Sequence, residues 1–124
     1  MEKNMSAYVA EVATSFKRGT AEMLLLALLT QKDQYAYELS KALKETSKEL
    51  FDIQGPSLYT VLYRMQERGF VSTWSEQVGR RTRIYYHILP EGEEYLRRIT
   101  QEYLNVNHGV LEVLQATVLP NIEP

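Results

Sequence analysis

The chain contains no cysteine, which removes disulfides, thiolate-held metals and a cysteine nucleophile together. It also lacks a long apolar run. The longest, Met23 to Leu29, is seven residues, where a membrane-spanning helix needs about 20. No basic start followed by an apolar stretch and a small-residue cleavage site opens the chain, so a cytoplasmic location is expected. Neither a GxSxG elbow nor a glycine-rich phosphate loop occurs, and no paired acids stand alone on one face, so catalysis is not expected. His87 and His108 are far apart and have no carboxylates at ligand spacing. The first reads as a strand residue and the second as a helix-surface residue, and neither a metal nor any other cofactor is expected.

What is present describes one folded domain with extensions: 124 residues, 44% of them hydrophobic and 24% charged, sit inside the globular range. The net charge of −2 hides an asymmetry. Residues 55–88 hold Arg64, Arg68, Arg80, Arg81 and Arg83 against Glu67 and Glu76, whereas residues 89–124 hold Arg97 and Arg98 against six glutamates. A solvated surface accounts for such asymmetry as readily as an anionic partner does, so the positions of the charges must decide.

Met5, Tyr8, Val9, Val12, Ala13 and Phe16 recur at helical spacing and predict an amphipathic helix over residues 1–16. After Lys17-Arg18-Gly19, Thr20 is placed to cap a second helix through its hydroxyl, and Ala21 to Leu29 are apolar almost all round, as a core helix is. Lys32-Asp33-Gln34 breaks the pattern. A third helix follows, with Ala36, Leu39, Leu43 and Thr46 inward, running to about Glu49. Gly55-Pro56-Ser57 opens a fourth, whose stripe of Leu58, Val61, Leu62 and Met65 ends near Gly69. Helix geometry turns Ser57, Thr60 and Arg64 outward, with Tyr59 and Tyr63 on the adjoining edge.

Beyond Gly69 the period becomes strand-like. Phe70 to Ser75, and then Ile84, Tyr86 and Ile88 alternating with Arg83, Tyr85 and His87, predict a β-hairpin with a basic polar tip over Glu76 to Thr82. Pro90 and the acids after it open a last helix. Leu96, Ile99, Tyr103, Val106, Val110 and Val113 form a heptad-like seam along it, widened by Leu104, Leu111, Leu114 and Val118, and Gly109 is a candidate bend. That apolar width exceeds what one small core covers, so the seam is expected to pair two copies of the chain. The fold class is therefore mainly α with a small hairpin: an N-terminal helix (1–16), a winged helix-turn-helix (17–89), a dimerisation helix (90–119) and a frayed tail (120–124). In such folds the exposed helix enters the major groove of duplex DNA and the wing touches the backbone.

Three blocks of residues resemble the PadR-type regulators, over Lys17 to about Leu114. Arg18-Gly19 followed by LLLALL is similar to the family's opening helix, and Tyr35-Ala36-Tyr37-Glu38-Leu39 to its second motif, with alanine where glycine is common. Ser57-Leu58-Tyr59 through Leu62, Arg64, Met65 and Gly69 resembles its recognition helix. Arg83, Tyr85-Tyr86 and Gly92 resemble its second wing strand and the start of its last helix. Leu89 departs from the family, which usually has a threonine there that can cap the helix. The single short C-terminal helix resembles the smaller subgroup. The resemblance implies a homodimeric repressor on a palindromic operator, released by a small effector.

On these readings Ser57, Tyr59, Thr60, Tyr63 and Arg64 face DNA, with Arg64 either reading guanine or gripping phosphate. Arg80, Arg81 and Arg83 form a phosphate clamp on the wing, and Lys17, Arg18 and Tyr37 are further candidates. Tyr8, Phe16, Trp74, Tyr95 and Tyr103 can line a site for a flat aromatic or phenolic effector, or can serve as core and interface packing. The rival reading is a winged-helix protein-interaction module that never touches DNA.

Overall fold

The computed structural model describes residues 4–121. Two flanking helices bracket a winged helix-turn-helix body. α1 (Met5–Arg18) is followed by α2 (Ala21–Leu29), the short strand β1 (Gln34–Tyr35), α3 (Ala36–Thr46), α4 (Gly55–Glu67), the hairpin strands β2 (Val71–Val78) and β3 (Arg81–Ile88), and the long α5 (Pro90–Thr117). A single 3-10 turn, Leu119–Asn121, forms where a frayed tail is expected to begin.

The core belongs to the body. Leu25, Leu26 and Leu29 of α2, Leu39 and Leu43 of α3, and Leu58, Leu62 and Met65 of α4 close on one another, with Val71, Tyr86 and Ile88 from the sheet against them. Thr46 is exposed, because α3 ends there instead of near Glu49. The amide of Lys48 donates to the Glu45 carbonyl and that of Glu49 to the Lys44 carbonyl, with Lys48 at φ 54° and Glu49 at φ 68°, closing a Schellman turn without a glycine. α4 ends in the same way with the expected residue: Gly69 takes φ 77°, and the Phe70 amide reaches back 3.0 Å to the Met65 carbonyl. Thr20 does not cap α2 through its side chain. Its hydroxyl donates backward to the Lys17 carbonyl at 3.0 Å, satisfying the end of α1.

The sheet has three strands in the order β1-β3-β2, one more than the sequence reading anticipates. β1 pairs with β3 through Gln34 opposite Tyr86 and Tyr35 opposite Tyr85. The buried Gln34 amide also donates to the Leu28 carbonyl at 3.0 Å, capping the last turn of α2. The hairpin is longer and its tip tighter than expected. Val78 pairs with Arg81, so only Gly79 and Arg80 form the loop, a two-residue turn of the kind that matches strand twist.

α5 begins at Pro90 without a side-chain cap from Leu89. The Leu89 amide donates instead to the Phe70 carbonyl at 2.9 Å, so the helix start is anchored to the end of α4. Gly92 lies against that same carbonyl, leaving no room for a Cβ. Tyr95 stacks on Phe70 with centroids 4.3 Å apart, and Leu96 packs against the body's core. The helix then runs through Gly109 in one piece. Beyond Thr100 only Leu114 of α5 is even half-buried.

Candidate nucleic-acid interface

α3 and α4 form the helix-turn-helix. The turn between them is held by the Ser40 hydroxyl, which donates to the Ile53 carbonyl at 2.9 Å, and by the Ser47 hydroxyl, which accepts from the Phe51 amide. With Leu58, Leu62 and Met65 turned into the core, the opposite face of α4 presents Ser57, Tyr59, Thr60 and Tyr63 to solvent. Tyr59 and Tyr63 are more than half exposed, a state that burial energetics alone does not favour for aromatic rings. The Thr60 hydroxyl donates to the Pro56 carbonyl at 2.9 Å, which leaves its oxygen free to accept a further bond. Tyr37 stands exposed near the start of α3.

An open groove of about 810 Å³ lies along α4, lined by Thr14, Lys17 and Arg18 from α1, by residues 49–54, and by Ser57, Thr60 and Arg64. Five of the DNA candidates thus share one concavity. It joins three cationic side chains to the N-terminal turn of a helix, where backbone N–H groups favour anions. The acids Glu49 and Asp52 also line it, and Lys44 lies 3.6 Å from Asp52.

Arg64 is not a free outward arginine. Its Nε lies 3.6 Å from Oε2 of Glu22, and the side chain is 43% exposed. Arg68 reaches the same oxygen at 3.5 Å, and the Tyr95 hydroxyl donates to the other oxygen at 2.7 Å. Burial, followed by the hydrogen bond and charge of Glu22, pushes the Tyr95 hydroxyl up to about 12. The sequence carries one sign of this hub that sequence reasoning passed over: Glu22 is the lone charge in an otherwise apolar helix.

The wing separates its arginines. Arg80 and Arg81 are exposed at the tip and make no ion pair among the described residues. Arg83 is different. Its guanidinium lies 4.7 Å over the Tyr35 ring, so it is half-buried in an aromatic cluster on the outer face of the sheet. Trp74 stacks on Tyr85 at 4.2 Å, and Tyr85 meets Tyr35 edge-on at 5.4 Å. Asp33, in the loop before β1, ties down this cluster: one carboxylate oxygen accepts from the Trp74 indole at 2.8 Å and the other pairs with His87 Nδ1 at 2.8 Å. Burial pushes the Asp33 carboxyl up, but the bonds from His87 and Trp74 and the charge on His87 outweigh it, and the carboxyl ends below its usual range.

Within one chain the five effector candidates do not converge. Tyr8 and Phe16 are exposed on α1, and Tyr103 on α5. Trp74 belongs to the wing cluster, and Tyr95 is packed between Phe70 and Glu22. Of the six seam residues, Leu96 packs against its own domain's core and Ile99 is half-buried, while Tyr103, Val106, Val110 and Val113 stay exposed. His87 is the strand residue expected, and His108 lies on the helix surface 3.6 Å from Glu112. Among the described residues, no helix is long and apolar enough to cross a membrane and no group of three His, Asp or Glu side chains gathers as a metal site.

Residues 25–98 match the model of the transcriptional regulator PadR-like family. An uncharacterised protein of Lysinibacillus sphaericus is 29% identical over 98 residues, covering 77% of this chain and 88% of that one. A PadR family transcriptional regulator from Eggerthella lenta is 27% identical with a TM-score of 0.80, covering 88% of this chain and 94% of its own. A transcriptional regulator from Clostridium thermocellum gives 28% identity and 0.74 over 84% and 98%. A PadR-like regulator from Bacillus cereus gives 28% and 0.70 over 82% and 97%.

Proposed function

The chain belongs to the PadR-like family of transcriptional regulators, which are DNA-binding proteins and not enzymes, and from that premise we propose that it is a cytoplasmic homodimeric repressor of a palindromic operator. α4 of each protomer lies in the major groove with Ser57, Tyr59, Thr60, Tyr63 and Arg64 toward the bases and flanking phosphates. Arg80 and Arg81 grip the backbone from the wing, Arg83 braces the wing from behind, and Lys17, Arg18 and Tyr37 add contacts at the rim of the groove. The observation that carries this reading is the outer face of α4. The helix satisfies the core with one stripe and leaves two tyrosines and a polar row uncommitted beside a cation-lined groove.

The uncovered stripes of α1 and the distal half of α5 support the reading of a second copy. Met5, Val9, Val12 and Phe16 on one, and Val106, Val110 and Val113 on the other, are apolar side chains that water covers in the single chain. Crossing α1 of one protomer over α5 of its partner buries both. A flat aromatic or phenolic effector then lodges where these helices meet, against Tyr8, Phe16 and Tyr103, and shifts the spacing of the two α4 helices.

The test is a salt series of binding to a duplex from upstream of the chain's own coding sequence, beside a scrambled duplex of the same composition, with molar mass measured in parallel. A dimer that prefers the upstream duplex, with affinity falling steeply as salt rises, is expected. Alanine at Arg80 and Arg81 lowers the salt slope by about one unit per lost phosphate contact. Equal and salt-insensitive binding to both duplexes refutes the reading and favours a protein-interaction module.

A further inference from the structure

Glu22 joins the two ends of the functional apparatus. Its side chain is 13% exposed, and its partners come from two separate helices: Tyr95 from α5, and Arg64 and Arg68 from α4. A carboxylate this well covered is held where its charges are paired, and its geometry is correspondingly fixed. The closest approach to Arg64 is made by Nε, not by either terminal nitrogen. Bidentate reading of guanine uses two nitrogens of one guanidinium against O6 and N7, and it needs the fork to be aimed before the base arrives.

We propose that Glu22 is a positioning residue for base recognition: its carboxylate, itself aimed by the Tyr95 hydroxyl, holds Arg64 at Nε and leaves the terminal fork to read a guanine edge. The inference rests on α4 being the DNA-reading helix. It selects base reading over phosphate gripping for Arg64, because an arginine whose charge is half cancelled by a neighbouring carboxylate is a poor phosphate anchor and a well-oriented hydrogen-bond donor. It also links α5 to the reading head. Movement of Tyr95 with α5 shifts the Glu22 carboxylate, and Arg64 follows.

Glu22→Gln is the decisive substitution, since the amide keeps an oxygen for Tyr95 and the same shape while losing the charge that holds Arg64. Binding is read by fluorescence anisotropy with the upstream duplex and its scrambled partner. The preference for the upstream duplex is expected to fall about tenfold, within the range a bidentate contact supplies, while binding to the scrambled duplex is unchanged or tighter because a negative charge near the phosphates is gone. In a chain already carrying Arg64→Ala, the same change is expected to leave the preference where Arg64→Ala put it. Tyr95→Phe, which keeps the stack on Phe70, reproduces a smaller part of the loss and serves if Glu22→Gln folds poorly. A preference retained in full by both variants, or affinity lost equally for both duplexes, overturns the positioning role. So does an undiminished effect of Glu22→Gln in the Arg64→Ala chain, which moves the role to Arg68. A parent chain that binds both duplexes alike refutes the DNA-reading assignment itself, and this inference falls with it.

Discussion

The body from α2 to β3 and the two flanking helices obey different rules. In the body each amphipathic face finds its complement within the chain: three residues from each of α2, α3 and α4 are buried in one cluster with residues of the sheet. α1 buries none of its residues, and α5 buries only Gly92. Yet the flanking helices are no less amphipathic in sequence. A stripe that is apolar but uncovered costs solvation free energy that a second surface relieves, and the contrast marks where the proposed second copy would pack.

The comparison breaks most directly at α5. Val106→Glu with Val110→Glu changes four side chains in the proposed dimer, each worth about 1.5–3 kcal/mol when buried. Association is expected to weaken by about four orders of magnitude or more. Sedimentation equilibrium should then find monomer, and circular dichroism should find the helices of the body intact. Simultaneous loss of the fold would mean that the body is not self-sufficient. The converse change is Leu62→Ala, at a side chain with no exposure. It removes about 2–5 kcal/mol of stability through transfer and cavity terms, with chemical denaturation as the measure. The mass at native concentrations is expected to be unaffected.

The difference between the two regions also explains how much could be read from the residues alone. Helices and hairpin were legible because their stripes repeat at 3.6 or 2 along the chain, and periodicity needs no knowledge of partners. So was the outer face of α4, which is simply what remains when Leu58, Leu62 and Met65 turn inward. Features that depend on residues distant in sequence were not legible. β1 is two residues long and exists only through pairing with β3. Asp33 meets Trp74 and His87 from more than forty positions away. Residues 76–82 are polar or glycine apart from Val78 and give no alternation, so they read as loop, whereas the ladder continues to Val78 opposite Arg81. Arg83 reads as a strand residue, but its place over the Tyr35 ring depends on β1 and was not legible. Thr20 misled for a local reason: the Lys17 carbonyl at the end of α1 competes for the hydroxyl that would otherwise cap α2.

Gly92 sits at the join of the two regions and tests whether they are separable. A Cβ there would overlap the Phe70 carbonyl oxygen and press on Ile88 at 3.0 Å. Gly92→Ala is expected to cost about 1–3 kcal/mol through overpacking against backbone that cannot move aside. Because the same carbonyl accepts from Leu89, the strain should displace the start of α5 relative to α4. Thermal unfolding reads the loss. An unchanged melting temperature would show that the join yields more easily than the packing implies.

The smallest effect concerns the wing, which belongs to the body yet reaches beyond its core and depends on Asp33 for its attachment. The folded carboxyl lies below its ordinary value, so its contribution is fully present above the unfolded value of about 3.9 and is lost as pH falls through the lower, folded one. Protonation weakens the bond from Trp74 and the pair with His87 together. The emission of Trp74, the single tryptophan, should therefore shift in that acid window, and Asp33→Asn should abolish the step because nothing at that position then titrates. Glu76 is the other acid coupled to this cluster, through Tyr85. A step that survives Asp33→Asn would transfer the control of the wing to Glu76 and detach the loop before β1 from it.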